Sequence, residues 1–175
     1  HIPALSLFAR ACNKYPRLFV ALFSTKRSGT WLVATPETLI GGHCGQMHTM
    51  ALAGTMRPGT GEWSDKNKRE QKYVETYITE CVRQFSDDIN VEGPYTTYAA
   101  DLQHLRSDIR FSMNDTALIG NVVDALHPTP AVCGIPKDET RRFIIDNESQ
   151  PRGYYSGFAG PFNPNGDTHL FVTLR

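Results

Sequence analysis

Two glutamates sit where a carboxylate is costly. In segment 66–86, Tyr73, Val74, Tyr77, Ile78, Cys81, Val82 and Phe85 recur at three- and four-residue spacing, which predicts an amphipathic helix. At about 100° per residue, Glu70 falls at the centre of the stripe made by Val74, Tyr77 and Cys81. A carboxylate on an apolar face needs a partner or a cation, unless the first turn projects past the core into water. Both arrangements are open for Glu70. Asn67, one turn earlier, shares that face and could extend an oxygen-rich site for Mg²⁺. Glu37, in ATPETLI, follows a strand and a proline and precedes Leu39 and Ile40. Held against an apolar strand end, it would have a raised pKa and could act as a general acid. In a helix's first turn it would only complement the dipole.

Other residues offer further chemistry. His104 alternates with Leu102, Arg106, Asp108 and Arg110, which places it on the polar face of a strand, either solvated or facing a site. Arg175 shares a face with Phe171 and Thr173; at the end of a buried strand it would need an anion, either a protein carboxylate or a substrate carboxylate held in bidentate fashion, whereas at an exposed strand end it would need none. His43, Cys44 and His48 include metal-ligand types but lack a partner pair at zinc spacing. Two segments, LHPTPAVCGIPK (126–137) and RGYYSGFAGPF (152–162), put rigid prolines and bare glycines on either side of a helix.

The elements that must position these residues follow from pattern. Residues 4–12 read as the end of a helix. Strands are predicted over 17–24 and 30–35, as a hairpin, and over 46–53 after a GGHCG turn. A glycine-rich loop, 53–65, ends at Ser64 or Asp65 as N-cap of the 66–86 helix. EGPY (92–95) reads as a break, and 98–113 as one long strand. Helices are predicted over 117–126, capped by Asn114 or Asp115, and from Pro136 to about Asn147. YYSGFAGPF and THLFVTLR read as strands joined by an N-P-N-G-D turn. The order predicts an α+β fold, mainly antiparallel. No repeat or linker divides the 175 residues, and both ends read as cut through an element, so the expectation is one partial domain over 1–175, truncated at both ends.

The bulk composition excludes some classes. Eighteen basic and eighteen acidic residues cancel, which argues against a nucleic-acid partner. No run of eighteen apolar residues predicts a membrane span, and the first residues lack the pattern of a signal peptide. Four scattered cysteines without a C-x-x-C pair fit a reducing, cytoplasmic setting.

Taken together, these residues resemble one known pattern, that of the chorismate-binding enzymes. ATPETL resembles the family's S-P-E segment, ALAGT its A-G-T/S substrate loop, SDKNKREQKYV its K-x-x-x-E-H helix and DLQHLRSDI its H-L strand. LHPTPAVCGIPK is the most specific match and is similar to the isochorismate synthase branch; R-G-Y-Y-S-G and F-V-T-L-R also match. The resemblance covers essentially the whole chain. It implies twisted antiparallel sheets with helices packed outside. It also implies Mg²⁺-dependent isomerisation of chorismate to isochorismate, feeding menaquinone or siderophore biosynthesis, by a protein that is monomeric at full length. Anthranilate, aminodeoxychorismate or salicylate synthesis, or a non-catalytic chorismate-binding module, are the alternatives.

The resemblance also assigns roles. Glu37 corresponds to the general acid, with His104 near the leaving hydroxyl, and Glu70 to a Mg²⁺ ligand. Gly54 and Thr55 would hold substrate. Ala131, Val132, Tyr155 and Leu174 would line the ring pocket, and Arg175 would grip a substrate carboxylate with help from Tyr155. The family's E-H pair reads Glu70-Gln71 here, and glutamine cannot titrate. The family's lysine base would lie before residue 1, and its further metal-binding glutamates after Arg175, so the 175 residues alone are expected to be inactive.

Overall fold

The computed structural model describes residues 3–174. Helix α1 (Ala4–Lys14) leads into a hairpin of β1 (Phe19–Thr25) and β2 (Gly29–Thr35), which pair antiparallel as their own two-stranded sheet. Then follow β3 (Thr38–His43), β4 (Gln46–Met56), helix α2 (Asp65–Arg83), β5 (Ile89–Ala99) and β6 (Leu102–Ser112). After a 3₁₀ turn come helices α3 (Ile119–Leu126), α4 (Pro130–Cys133) and α5 (Lys137–Asn147), then strands β7 (Phe158–Ala159) and β8 (Asp167–Val172). The main sheet has the order β5-β6-β4-β3-β8-β7, with every neighbour pair antiparallel. The α+β, mainly antiparallel expectation holds.

Alternation builds the core. Met47 and Ala51 on β4 and Ile109 and Phe111 on β6 point to one face of the sheet. There they meet Val74, Ile78 and Val82 of α2 and Ile119, Val122 and Leu126 of α3. The apolar rows of both helices recur at three- and four-residue steps, and of the stripe predicted on α2 it is Val74, Ile78, Cys81 and Val82 that are buried in the core. Ser64 caps α2 by accepting the Asn67 N–H (3.3 Å), and Asp115 caps the 3₁₀ turn by accepting the Ala117 N–H (2.9 Å).

Several predicted elements are corrected. Segment 38–43 is a strand, although its paired glycines read as a turn. EGPY does not break the chain: β5 runs through it, with a register shift between Glu92 and Tyr95. The predicted single strand over 98–113 is instead the end of β5, a turn at Ala100–Asp101 and β6. YYSGFAGPF contributes only Phe158–Ala159 to the sheet; Tyr154 turns away to meet Trp31 and Phe23 edge-on.

Candidate active site

A cavity of about 740 Å³ opens where the 35–37 corner, the end of β4, the start of α2, the start of β6 and the α4 loop converge. That volume suits a small-molecule ligand. Glu37, Gly54, Thr55, Glu70, His104, Ala131, Tyr155 and Leu174 all line it, so the structure brings together eight of the ten residues singled out from sequence. Arg175 lies outside the described residues. Val132 is a correction: it packs against the core on the other side of α4, because one turn of helix rotates consecutive side chains apart. Pro130 and Gly134, from the proline- and glycine-rich 126–137 segment, line the cavity as well, and so does Ile135, which carried no signal in the sequence.

Glu37 does not start a helix. It sits at the corner between β2 and β3, only 6% exposed. Three separate segments fix it. Its own N–H donates to Thr35 Oγ1 (3.3 Å), its carbonyl accepts the Val172 N–H (2.9 Å), and its Oε1 accepts the Thr129 hydroxyl (3.0 Å). Pro36 lacks an N–H and fixes φ, which suits the sharp corner. A buried carboxyl group aimed at a ligand-sized cavity is placed to exchange a proton with what fills it.

His104 is 3% exposed, against the solvated reading of its strand face. The register of β4 against β6 shifts between Ala53 and Met56, and this irregularity folds Gly54 and Thr55 over the histidine. His104 Nδ1 lies 3.0 Å from the Gly54 carbonyl oxygen and 3.2 Å from Thr55 Oγ1. A carbonyl can only accept, so Nδ1 carries the proton. Gly54 is required here: its φ is +69°, and a Cβ would sit 3.3 Å from Asn67 Cβ and 3.4 Å from Trp63 Cζ3. The Ala-Gly-Thr loop thus lies flush against the first turn of α2.

Glu70 is exposed at the cavity mouth, one residue off the buried stripe. The buried stripe runs through Gln71, Val74 and Glu75 instead, and Tyr73, expected on the apolar face, is 67% exposed. Gln71 reaches inward, with Nε2 donating to the Ala51 carbonyl (3.1 Å) and Ser107 Oγ (3.2 Å). Ser107 in turn donates to Glu75 Oε2 (2.6 Å), and Lys72 donates to Glu75 Oε1 (2.7 Å). Burial pushes the Glu75 carboxyl up, but the hydrogen bonds from Lys72 and Ser107 outweigh it, so the group lies below the usual glutamate range. Gln71 is therefore an anchor of α2 to the sheet, and the position adjacent to Glu70 does no proton chemistry.

The α4 loop is held from behind. Lys137 Nζ donates to the carbonyls of His127 (2.7 Å), Asp124 (3.2 Å) and Ala125 (3.2 Å), a cationic cap on the C-terminus of α3. Cys133 is buried beneath this loop, and burial pushes its thiol up, which keeps it protonated and weakly nucleophilic. Gly153 has φ +59°, and a Cβ there would lie 3.2 Å from the Trp31 ring, so a bare backbone lets this segment pass close to the indole.

A metal requirement finds one ligand here. Glu70 offers a single carboxylate, and among the described residues no three His, Cys, Asp or Glu side chains converge. Mg²⁺ characteristically takes one or two carboxylates and completes its shell with water and substrate oxygens, so Glu70 fits as a contributor rather than as a complete site. His43, Cys44 and His48 do not form a common site. His43 Nδ1 meets Asp167 Oδ1 (2.8 Å) at an exposed hairpin tip, whereas burial, and then the neighbouring His169, lower the pKa of His48.

A family model described as "Chorismate binding enzyme" matches residues 1–175, and the chain belongs to that family. Within it, the chain is 31% identical to the salicylate biosynthesis isochorismate synthase of Pseudomonas aeruginosa, over 88% of this chain and 35% of that protein. It is also 31% identical to isochorismate synthase DhbC of Bacillus subtilis, over 83% of this chain and 40% of that protein. The solved structure of MenF, the menaquinone-specific isochorismate synthase from Escherichia coli, superimposes with a TM-score of 0.88 at 26% identity, over 98% of this chain and 42% of that one. The chain thus spans about two-fifths of the length of these relatives. Among the described residues, no helix is long and apolar enough to cross a membrane.

Proposed function

We propose that these residues form the chorismate-binding part of an isochorismate synthase feeding menaquinone or siderophore biosynthesis. The observation that carries this reading is Glu37, a buried carboxyl group facing a ligand-sized cavity that His104, Thr55 and Glu70 also line. In the reaction, water adds at C2 of chorismate as the ring double bond shifts and the C4–O bond breaks. The proton of the incoming water goes to a base supplied from outside these 175 residues. Glu37 gives its proton to the departing C4 hydroxyl, which leaves as water, so one water enters and one departs. His104, its Nδ1 proton engaged by Gly54, holds the Ala-Gly-Thr loop in place beside the leaving group. Bound Mg²⁺ would offset the charge of a substrate carboxylate, with Glu70 among its ligands. Arg175 would take a substrate carboxylate, with Tyr155 and Leu174 beside the ring.

In a protein of the relatives' length carrying this chain, Glu37→Gln keeps the side-chain shape but has no carboxylic proton to give. Turnover is expected to fall roughly a hundredfold to ten-thousandfold with KM little changed. Arg175→Ala removes a charge-assisted contact and is expected to weaken binding by about 2–4 kcal/mol, raising KM. Normal turnover in Glu37→Gln would remove Glu37 from the acid role and the reading with it.

A further inference from the structure

Glu37 is not the only group of the acid machinery. Thr129 belongs to the H-P-T-P-A segment, is 4% exposed, and is the N-cap residue of α4. A threonine at that position ordinarily turns its oxygen back to accept an N–H of the first turn. This one makes no such bond, and its hydroxyl instead reaches across the cavity wall to Glu37 Oε1 at 3.0 Å. The two residues are 92 positions apart, and both are buried. Forgoing a cap to place a hydroxyl against one oxygen of one carboxyl group is a choice local structure does not explain.

We infer that Thr129 is a positioning residue for the general acid, an inference that rests on the reading of Glu37 above. Its hydroxyl donates to Oε1 in both states of the carboxyl group. With Glu37 neutral, a donor on Oε1 marks that oxygen as the carbonyl and directs the acidic proton to Oε2. As Oε2 passes its proton to the departing hydroxyl, Glu37 becomes a carboxylate and the same hydrogen bond becomes charge-assisted and stronger. The bond therefore strengthens as the transition state forms, which is the condition for raising turnover rather than binding. The scaffold behind Thr129 holds the donor still. Its carbonyl accepts the Val132 and Cys133 N–H groups (2.9 and 3.1 Å), and Lys137 caps the His127 carbonyl two residues earlier (2.7 Å).

The test uses a protein of the relatives' length carrying this chain, assayed with chorismate. Thr129→Val keeps the shape and loses the donor; it is expected to lower kcat roughly ten- to a hundredfold with KM unchanged. Thr129→Ser keeps the donor and is expected to restore most of the rate, which a lost packing contact would not allow. In a Glu37→Gln background, Thr129→Val is expected to cost nothing further, because the two groups act as one unit. If Glu37→Gln is inactive while Thr129→Val turns over normally, the inference fails and the acid assignment survives. If Glu37→Gln turns over normally, both fail. Equal losses in Thr129→Val and Thr129→Ser, or a raised KM in both, would assign Thr129 to packing and overturn the inference.

Discussion

Ser107→Ala probes the connection between the buried core and the site. Ser107 is 0% exposed and stands at the centre of a polar chain running from Lys72 through Glu75 to Gln71. Its hydroxyl is one of two donors to the Glu75 carboxylate and one of two acceptors for Gln71 Nε2, whose other acceptor is the Ala51 carbonyl. Gln71 Oε1, also buried, has no hydrogen-bond partner among the described residues, so the amide has no spare interaction there to fall back on. Alanine removes a hydrogen bond to a charged, buried acceptor, a loss of about 1.5–3 kcal/mol, and halves the acceptors of Gln71. The expected total is a destabilisation of about 2–3 kcal/mol at pH 7, read by urea unfolding of the 175-residue chain. The pH dependence has a definite sign. Because Glu75 titrates below its unfolded value, its contribution is fully present above that value and is lost as pH falls through the folded one. Removing Ser107 raises the folded value, so the gap between variant and parent is widest at neutral pH and narrows as pH falls through the folded value. A loss under about 0.5 kcal/mol, or a gap that widens in acid, would refute the network's role in tying α2 to the sheet.

Two more outcomes follow from the same geometry. Lys137→Met leaves three carbonyls at the end of α3 without their cation, so amide exchange at Val132 and Cys133 is expected to accelerate about tenfold, equivalent to about 1.4 kcal/mol of local stability; unchanged protection would mean that the cap does not hold the loop. Glu70 alone is expected to give no measurable Mg²⁺ site in this chain at millimolar metal, while Glu70→Gln in a protein of the relatives' length is expected to abolish Mg²⁺-dependent turnover; calorimetry showing a tight site in the 175-residue chain that Glu70→Gln removes would contradict this.

Much of the architecture was legible because it rests on local signals. The α2 stripe, the Ser64 cap and the β1–β2 hairpin are each written in residues close together in sequence. What failed depends on distant partners. The 38–43 strand carries Gly41 and Gly42, which read as a turn; a Cβ on Gly42 would lie 2.2 Å from the Gln46 carbonyl oxygen, so the pairing with β4 itself demands glycine. Alternation put His104 on the correct face but could not show its burial, which comes from the irregular register at Gly54 and Thr55. Motif resemblance placed most of the cavity lining but misjudged Val132, since four residues of helix at α4 decide which side chain faces inward. Thr129 carried no periodic or charge signal, and only the folded chain brings it to Glu37.

The proposed conversion of chorismate to isochorismate, with Glu37 as the acid, can be tested directly. The direct measurement is the product formed from chorismate and Mg²⁺, with and without ammonium, by a protein of the relatives' length carrying these residues. Isochorismate is expected in both cases, at a rate indifferent to ammonium and lost in Glu37→Gln. Anthranilate or aminodeoxychorismate appearing with ammonium, salicylate with release of pyruvate, or binding of chorismate without any turnover would contradict it.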